Sequence, residues 1–350
     1  MRAWEKNFRQ VVPYVPGEQP QDLNIVKLNT NESPYPPAPG VIALEKEINA
    51  GAFRRYPDYQ AKKLVKELAR HYKLKENQIF VGVGSDDVLA MCFLTFFNSK
   101  TPILFPDITY SFYKTWAELY QIPYECPPVD DNFRIQKEDY YKKNGGVIIA
   151  NPNAPTSIAE NREFFREILE HNHESIVIVD EAYIDFGGES TIPLIEEYEN
   201  LLVVQTFSKS RSMAGMRIGY AMGNERLIQA LNDVKYSFNS YTMNTASIEL
   251  GAKAVEEDSY YQEMVAKIKQ TREIYKKRLI QCGFEILDSD TNFLFAKHKN
   301  VPAKEIFEKL REKSIYVRHF DSDRVCDYLR ITIGTDQEME KLMSALKDIL

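Results

Sequence analysis

No run of apolar residues in this chain approaches the roughly 20 needed to span a bilayer. The opening stretch Met1-Arg2-Ala3-Trp4-Glu5-Lys6-Asn7 lacks the apolar core of a signal peptide, so neither a membrane protein nor a secreted one is expected. Cysteine is scarce. Cys92, Cys126, Cys282 and Cys326 lie far apart and form no Cys-x-x-Cys pair, which argues against a disulfide framework and for reduced thiols in the cytoplasm. Of five histidines only His171 and His173 are close, and they read as a solvated helix end, so no metal is expected. Positive charge is not in excess either. With 44 Lys and Arg against 51 Asp and Glu, the net charge of -7 disfavours nucleic acid and anionic membrane surfaces as partners. An anionic small molecule would have to be met by individual arginines.

What is present is an ordinary globular balance, 44% hydrophobic and 27% charged over 350 residues, a length that favours two domains. Residues 1–40 hold Pro13, Pro16, Pro20, Pro34, Pro36, Pro37 and Pro39 and read as an extended arm. From residue 59, Leu64, Val65, Leu68, Ala69 and Tyr72 recur at helical spacing. Strands are expected at Ile79–Val83, Ile103–Phe105, Val147–Ala150, Ile176–Val179, Leu201–Gln205 and Ile218–Met222. Continuous apolar runs of this kind, alternating with helices, point to an α/β fold with a largely parallel sheet covered on both faces. After about residue 240 a long amphipathic helix, short strands and a final helix read as a smaller α+β domain. The expected division is an arm over 1–40 packing on the small domain, a large domain over 41–243 and a small one over 244–350.

The chemistry gathers at the strand ends, where ligands of an open parallel sheet collect. Lys209 closes the run from Leu201 to Gln205-Thr206-Phe207-Ser208-Lys209, and Arg217 follows in Ala214-Gly215-Met216-Arg217. Asp180 ends the run Ile176-Val177-Ile178-Val179. An amine, a carboxylate and an arginine so placed suit pyridoxal phosphate: the amine forms a Schiff base, the carboxylate pairs with the ring nitrogen and the arginine holds the phosphate. Asp180 could instead cap a helix. Tyr183 could contact the cofactor's phenolic oxygen or be a core tyrosine, and Tyr110 could stack on the ring or pack generically. Gly82-Val83-Gly84-Ser85-Asp86-Asp87 leads into a helical run, an anion cup of backbone N–H groups. It fails as a dinucleotide fingerprint, because the third glycine position holds Asp87.

Together these segments resemble the class II branch of pyridoxal-phosphate aminotransferases of fold type I, and within it the histidinol-phosphate aminotransferases. The resemblance spans nearly the whole chain, through Pro13-Tyr14-Val15-Pro16-Gly17, Asn29-Thr30-Asn31-Glu32-Ser33-Pro34, Arg55-Tyr56-Pro57-Asp58, Asn151-Pro152-Asn153-Ala154-Pro155-Thr156, Asp180-Glu181-Ala182-Tyr183, Ser208-Lys209, Thr291-Asn292-Phe293 and Leu329-Arg330-Ile331-Thr332. It implies a large domain with a mostly parallel seven-stranded sheet, pyridoxal 5'-phosphate as cofactor, and a ping-pong exchange between histidinol phosphate and 2-oxoglutarate/glutamate in histidine biosynthesis. It implies Lys209, Asp180 and Tyr183 as catalytic residues. Ser85, Asp86, Tyr110, Asn153, Thr206, Ser208 and Arg217 would complete the cofactor site, with Tyr56 reaching in from the second subunit of a homodimer. Tyr14, Asn31, Arg318 and Arg330 would bind substrate. The family's Asn-Pro-Asn-Asn-Pro-Thr-Gly departs here at Ala154 and Ser157, so Tyr183 alone, or Asn153, would serve the phenolic oxygen. A broad aromatic-amino-acid aminotransferase and a threonine-phosphate decarboxylase on the same scaffold are the alternatives.

Overall fold

The structure, a computed structural model, describes residues 2–14, 17–20 and 24–350. Val15 and Pro16 of the N-terminal motif lie outside the described residues. After a two-residue strand β1 (Val26–Lys27), a seven-stranded sheet is built from β2 (Ile79–Gly82), β3 (Ile103–Leu104), β4 (Tyr124–Glu125), β5 (Val147–Ala150), β6 (Val177–Asp180), β7 (Leu201–Thr206) and β8 (Gly219–Gly223). Its spatial order is β2-β8-β7-β6-β5-β3-β4. The contiguous strands β7, β6, β5, β3 and β4 are parallel, whereas β8 runs antiparallel to both β2 and β7.

The mostly parallel seven-stranded sheet is as expected, but two of its features left no mark in the sequence. Strand β4 was not anticipated: it is a two-residue edge strand, only partly buried, with no apolar run to mark it. The reversed direction of β8 is also invisible in its composition, because a strand buried on both faces reads the same either way.

The helices are α1 (Pro39–Glu47), α2 (Lys62–Tyr72), α3 (Ser85–Phe96), α4 (Phe112–Tyr120), α5 (Arg162–His171), α6 (Glu225–Phe238), α7 (Thr245–Glu256), α8 (Asp258–Gln281), α9 (Ala303–Glu312) and α10 (Asp336–Ile349). Strand side chains alternate between faces, which divides the core in two. Val147, Ile149, Val177, Val179, Leu201 and Val203 pack with Leu64 and Leu68 of α2 and Leu250 of α7. Ile148, Ala150, Ile178, Leu202 and Val204 pack with Val88 and Leu89 of α3, Trp116 of α4 and Leu231 of α6. Each fully buried aliphatic side chain contributes about 1.5–3 kcal/mol, so both covered faces hold the strand ends rigidly.

A second, four-stranded sheet is formed by β9 (Phe284–Ile286), β10 (Phe293–His298), β12 (Arg318–His319) and β13 (Leu329–Thr332), in the order β12-β13-β10-β9. The intervening β11 (Ile315–Tyr316) pairs in parallel with β1. Val26 and Leu28 from the start of the chain share a third core with Ile268, Leu294, Ile306, Ile331 and Leu342. This contact anchors residues 26–32 between the two sheets. No helix among the described residues is long and apolar enough to cross a membrane.

Candidate active site

The carboxyl ends of the parallel strands open into a cavity of about 320 Å³, whose lining includes Ser85, Asp86, Tyr110, Ala154, Asp180, Tyr183, Ser208, Lys209 and Arg217. Helix α3 starts at Ser85, so its unpaired first-turn N–H groups and positive dipole end face this space. The approach to that helix is tight. Gly84 has φ +88°, and a Cβ there would come within 2.5 Å of Arg217 Nη2. A Cβ on Gly219 would meet the Ser85 nitrogen at 2.3 Å, so β8 can only lie this close without a side chain. Arg217 Nη2 lies 3.4 Å from Asp86 Oδ2, and Tyr110 Oη donates to Asp86 Oδ1 at 2.8 Å. Ser208 Oγ lies 3.5 Å from Arg217 Nη1.

Lys209 Nζ donates to the Thr30 carbonyl at 3.1 Å and sits 5.6 Å from the centre of the Tyr183 ring. Its loop is pinned from behind, by Ser210 donating to Asp185 and by Arg211 paired with Asp258 at 2.7 Å. Arg211 therefore faces away from the cavity.

The neighbouring acids Asp180 and Glu181 have separate tasks because they point to opposite faces. Glu181 is spent on structure: it accepts from Ser190 Oγ, from the Thr191 backbone N–H and hydroxyl, and from Gln205 Nε2. Asp180 lines the cavity and accepts from Tyr113 Oη at 2.7 Å and from the Ala182 N–H at 3.2 Å. Burial pushes its carboxyl up to about 6 despite those two hydrogen bonds, so it is a group that gains from a cationic or N–H partner.

At the opposite end, Arg318 on β12 lies directly across from Arg330 on β13, and both line the cavity. Like charges facing each other across a strand pair are unfavourable unless an anion lies between them. Arg330 Nη2 donates to the Asn29 carbonyl at 3.0 Å, and its guanidinium lies 5.3 Å from the Phe293 ring centre. Burial, with Arg318 adding like charge, holds Arg330 below the usual guanidinium value. Asn31 joins the two ends. Its Nδ2 donates to Tyr183 Oη at 2.8 Å, while its N–H and Oδ1 each bond Thr332 Oγ1 at 3.0 Å. Tyr14, also lining the cavity, stacks on Phe112 with ring centres 4.1 Å apart.

Residues 24–346 match the family model for aminotransferase class I and II. The histidinol-phosphate aminotransferase of Lactococcus lactis subsp. lactis (strain IL1403) is 49% identical over 348 residues, covering 99% of this chain and 97% of that protein. The chain belongs to the class I and II aminotransferases. Among solved structures, the histidinol-phosphate aminotransferase of Sinorhizobium meliloti in complex with pyridoxal-5'-phosphate has a TM-score of 0.86 at 24% identity, covering 93% of this chain and 90% of that one. The L-threonine-O-3-phosphate decarboxylase of Porphyromonas gingivalis has 0.79 at 20%, covering 93% and 99%. At those identities the likeness speaks for the fold, which is shared by transaminase and decarboxylase alike.

The aminotransferase cavity gathers twelve of the residues singled out in the sequence: Tyr14, Asn31, Ser85, Asp86, Tyr110, Asp180, Tyr183, Ser208, Lys209, Arg217, Arg318 and Arg330. Three others lie outside its lining. Asn153 is a correction to the expectation, because both N–H groups of its amide are already used, one on the segment after β3 and one on its own loop. Nδ2 donates to the Ile108 carbonyl and Thr156 Oγ1, and Oδ1 accepts from Thr109 Oγ1. Asn153 therefore does not stand in for the donor missing at Ala154. Thr206 sits behind Ser208, bonding its hydroxyl at 3.0 Å. Tyr56 is 81% exposed, with its ring 4.6 Å from that of Tyr241.

The sequence reading missed Tyr113, Thr30 and Glu32. Glu32 lines the cavity, held by Lys27 and by Thr30 Oγ1 at 2.8 Å. Tyr113 carried a faint signal: it falls three residues after Tyr110, the spacing that brings side chains to one side of a helix start.

Proposed function

We propose that this aminotransferase exchanges the amino group between histidinol phosphate and 2-oxoglutarate, with pyridoxal 5'-phosphate as cofactor. The observation that carries the reading is the facing pair Arg318–Arg330, at the far end of a cavity that holds Lys209 and Asp180. A donor without a carboxylate must be anchored by its phosphate, and two guanidinium groups suit a dianion better than one. The full-length identity to relatives bearing that name supports the same reading.

The donor set fits the cofactor: one cavity offers an amine, a buried carboxylate and a helix N-terminus flanked by Ser85, Ser208 and Arg217. When bound, pyridoxal 5'-phosphate supplies an aldehyde for amines to condense with and a protonated ring that absorbs electron density. Lys209 would attach it, then move a proton at the substrate's α-carbon once the donor amine has displaced the lysine. Asp180 would hold the proton on the ring nitrogen. The Ser85 end of α3, with Ser208 and Arg217, would bind the cofactor phosphate, and Asp86 would keep Arg217 and Tyr110 in place. Tyr110 would pack against the ring and Tyr183 would reach the phenolic oxygen. Arg330 would accept the substrate phosphate in one half-reaction and a carboxylate in the other.

The half-reactions separate these roles. In Arg318→Ala, kcat/KM for histidinol phosphate should fall on the order of 10–100-fold, the loss of one charged hydrogen bond, while that for glutamate falls far less. Equal losses for the two donors would refute the phosphate anchor. Carbon dioxide release from threonine phosphate would assign the chain to the decarboxylase branch instead.

A homodimer belongs to the same proposal. Phe53, Tyr56, Tyr59, Phe238 and Tyr241 are exposed aromatics near one another in the fold or in sequence, and a second copy would cover them and place Tyr56 at its neighbour's cofactor phosphate. Sedimentation at micromolar concentration should give twice the 40.6 kDa chain mass, and a fully active monomer would remove this part of the reading.

A further inference from the structure

We infer that Tyr113 is a positioning residue that acts through Asp180, its hydroxyl holding the carboxylate so that the shared proton stays on the cofactor's ring nitrogen. The inference rests on the proposed pairing of Asp180 with that nitrogen.

The geometry leaves the Tyr113 hydroxyl little freedom. The side chain is fully buried at the start of α4, and its hydroxyl donates to Asp180 Oδ2 at 2.7 Å. Its ring is caged by Phe93, Phe105, Tyr110 and Trp116, with ring centres 5.7 to 6.4 Å away. Close-packed rings of this kind fix the hydroxyl's position, so the bond is preorganised. Burial and the Asp180 charge drive the phenol well above its usual range, so it donates and does not itself ionise.

The direction of the effect follows from the groups around Asp180. Burial raises its proton affinity most. Tyr113 and the Ala182 N–H lower it, Asp86 raises it and Lys209 lowers it. A hydrogen bond donated to the charged form favours that form. Without the phenol, Asp180 becomes the stronger base and draws the shared proton off the ring nitrogen. The ring then accepts electron density less well, and proton removal from the substrate slows although binding is unchanged. Tyr113 thus sets the electronic state of a group that it does not touch.

Tyr113→Phe keeps the ring in its cage and removes only the hydroxyl. The probe is pyridoxamine 5'-phosphate labelled with nitrogen-15 in the ring, bound to the apo-protein and read by nitrogen NMR, together with the kinetics of the glutamate half-reaction. In wild type the ring nitrogen should be protonated at pH 7. In Tyr113→Phe its signal should move toward the unprotonated position, kcat should fall about 10-fold and KM should stay within a factor of two. An unprotonated nitrogen in the wild type would sink the Asp180 pairing itself. A protonated nitrogen with the same shift in both proteins would sink the role of Tyr113 alone. An equal loss of apo-protein melting temperature and of cofactor binding, with no change in nitrogen shift, would mark Tyr113 as purely structural and overturn the inference.

Discussion

Lys209→Ala is expected to lose amino-group transfer by on the order of 10⁴-fold or more, because on the proposed reading one amine would supply both the cofactor attachment and the proton carrier. The fold should not suffer. Among the described residues the Lys209 ammonium makes a single hydrogen bond, to the Thr30 carbonyl, while the loop around it is held by Ser210–Asp185 and Arg211–Asp258. The apo-protein should therefore melt within a degree or two of wild type, a change of well under about 1 kcal/mol. The long-wavelength absorbance that wild type gains with pyridoxal 5'-phosphate should be absent from the variant after gel filtration. Turnover within 10-fold of wild type would end the assignment of Lys209.

Asp180→Asn should divide function from stability. Its transfer rate should drop on the order of 10³-fold, the scale of losing one preorganised electrostatic partner in a buried site. Its apo-protein should nevertheless be the more stable one at neutral pH. An ordinary aspartate titrates at 3.8, whereas burial places Asp180 at about 6. Between those values the folded chain binds a proton that the unfolded chain has released. Wild-type stability therefore falls as pH rises through that window, by about 3 kcal/mol in all, and is flat above it. Asparagine carries no such penalty. Melting curves should show the variant's advantage over wild type largest above pH 6 and shrinking toward pH 4. An advantage independent of pH would show that Asp180 is ionised in the fold at no cost.

The sequence revealed those residues whose role is local. Lys209, Asp180 and Ser85 each stand where an apolar run stops, and a polar group at that position has few structural uses. Residues defined by long-range contacts carried no comparable mark. Thr30 meets Lys209 across 179 positions, and Tyr113 meets Asp180 across 67. Asn153 misled for the opposite reason: its place beside Ala154 suggested a substitute donor, yet both N–H groups of its amide are already donated, to the Ile108 carbonyl and to Thr156. Sheet direction was legible for β5, β6 and β7, which are separated by α5 and by a twenty-residue crossover long enough for a parallel return, and illegible for β8, which follows β7 after a short excursion through Arg217.

The bond between Asn31 and Thr332 spans 301 positions, and Arg330 reaches back to Asn29. On a ribosome, the seven strands of the large sheet emerge before any of β13 exists. The nascent protein can thus settle its main layers while the wall carrying Arg318 and Arg330 is still missing. On the proposed reading, a chain cut short of residue 330 would keep Lys209 and lose the means to choose an amine for it. Substrate discrimination would in this sense be the last property the growing polypeptide acquires.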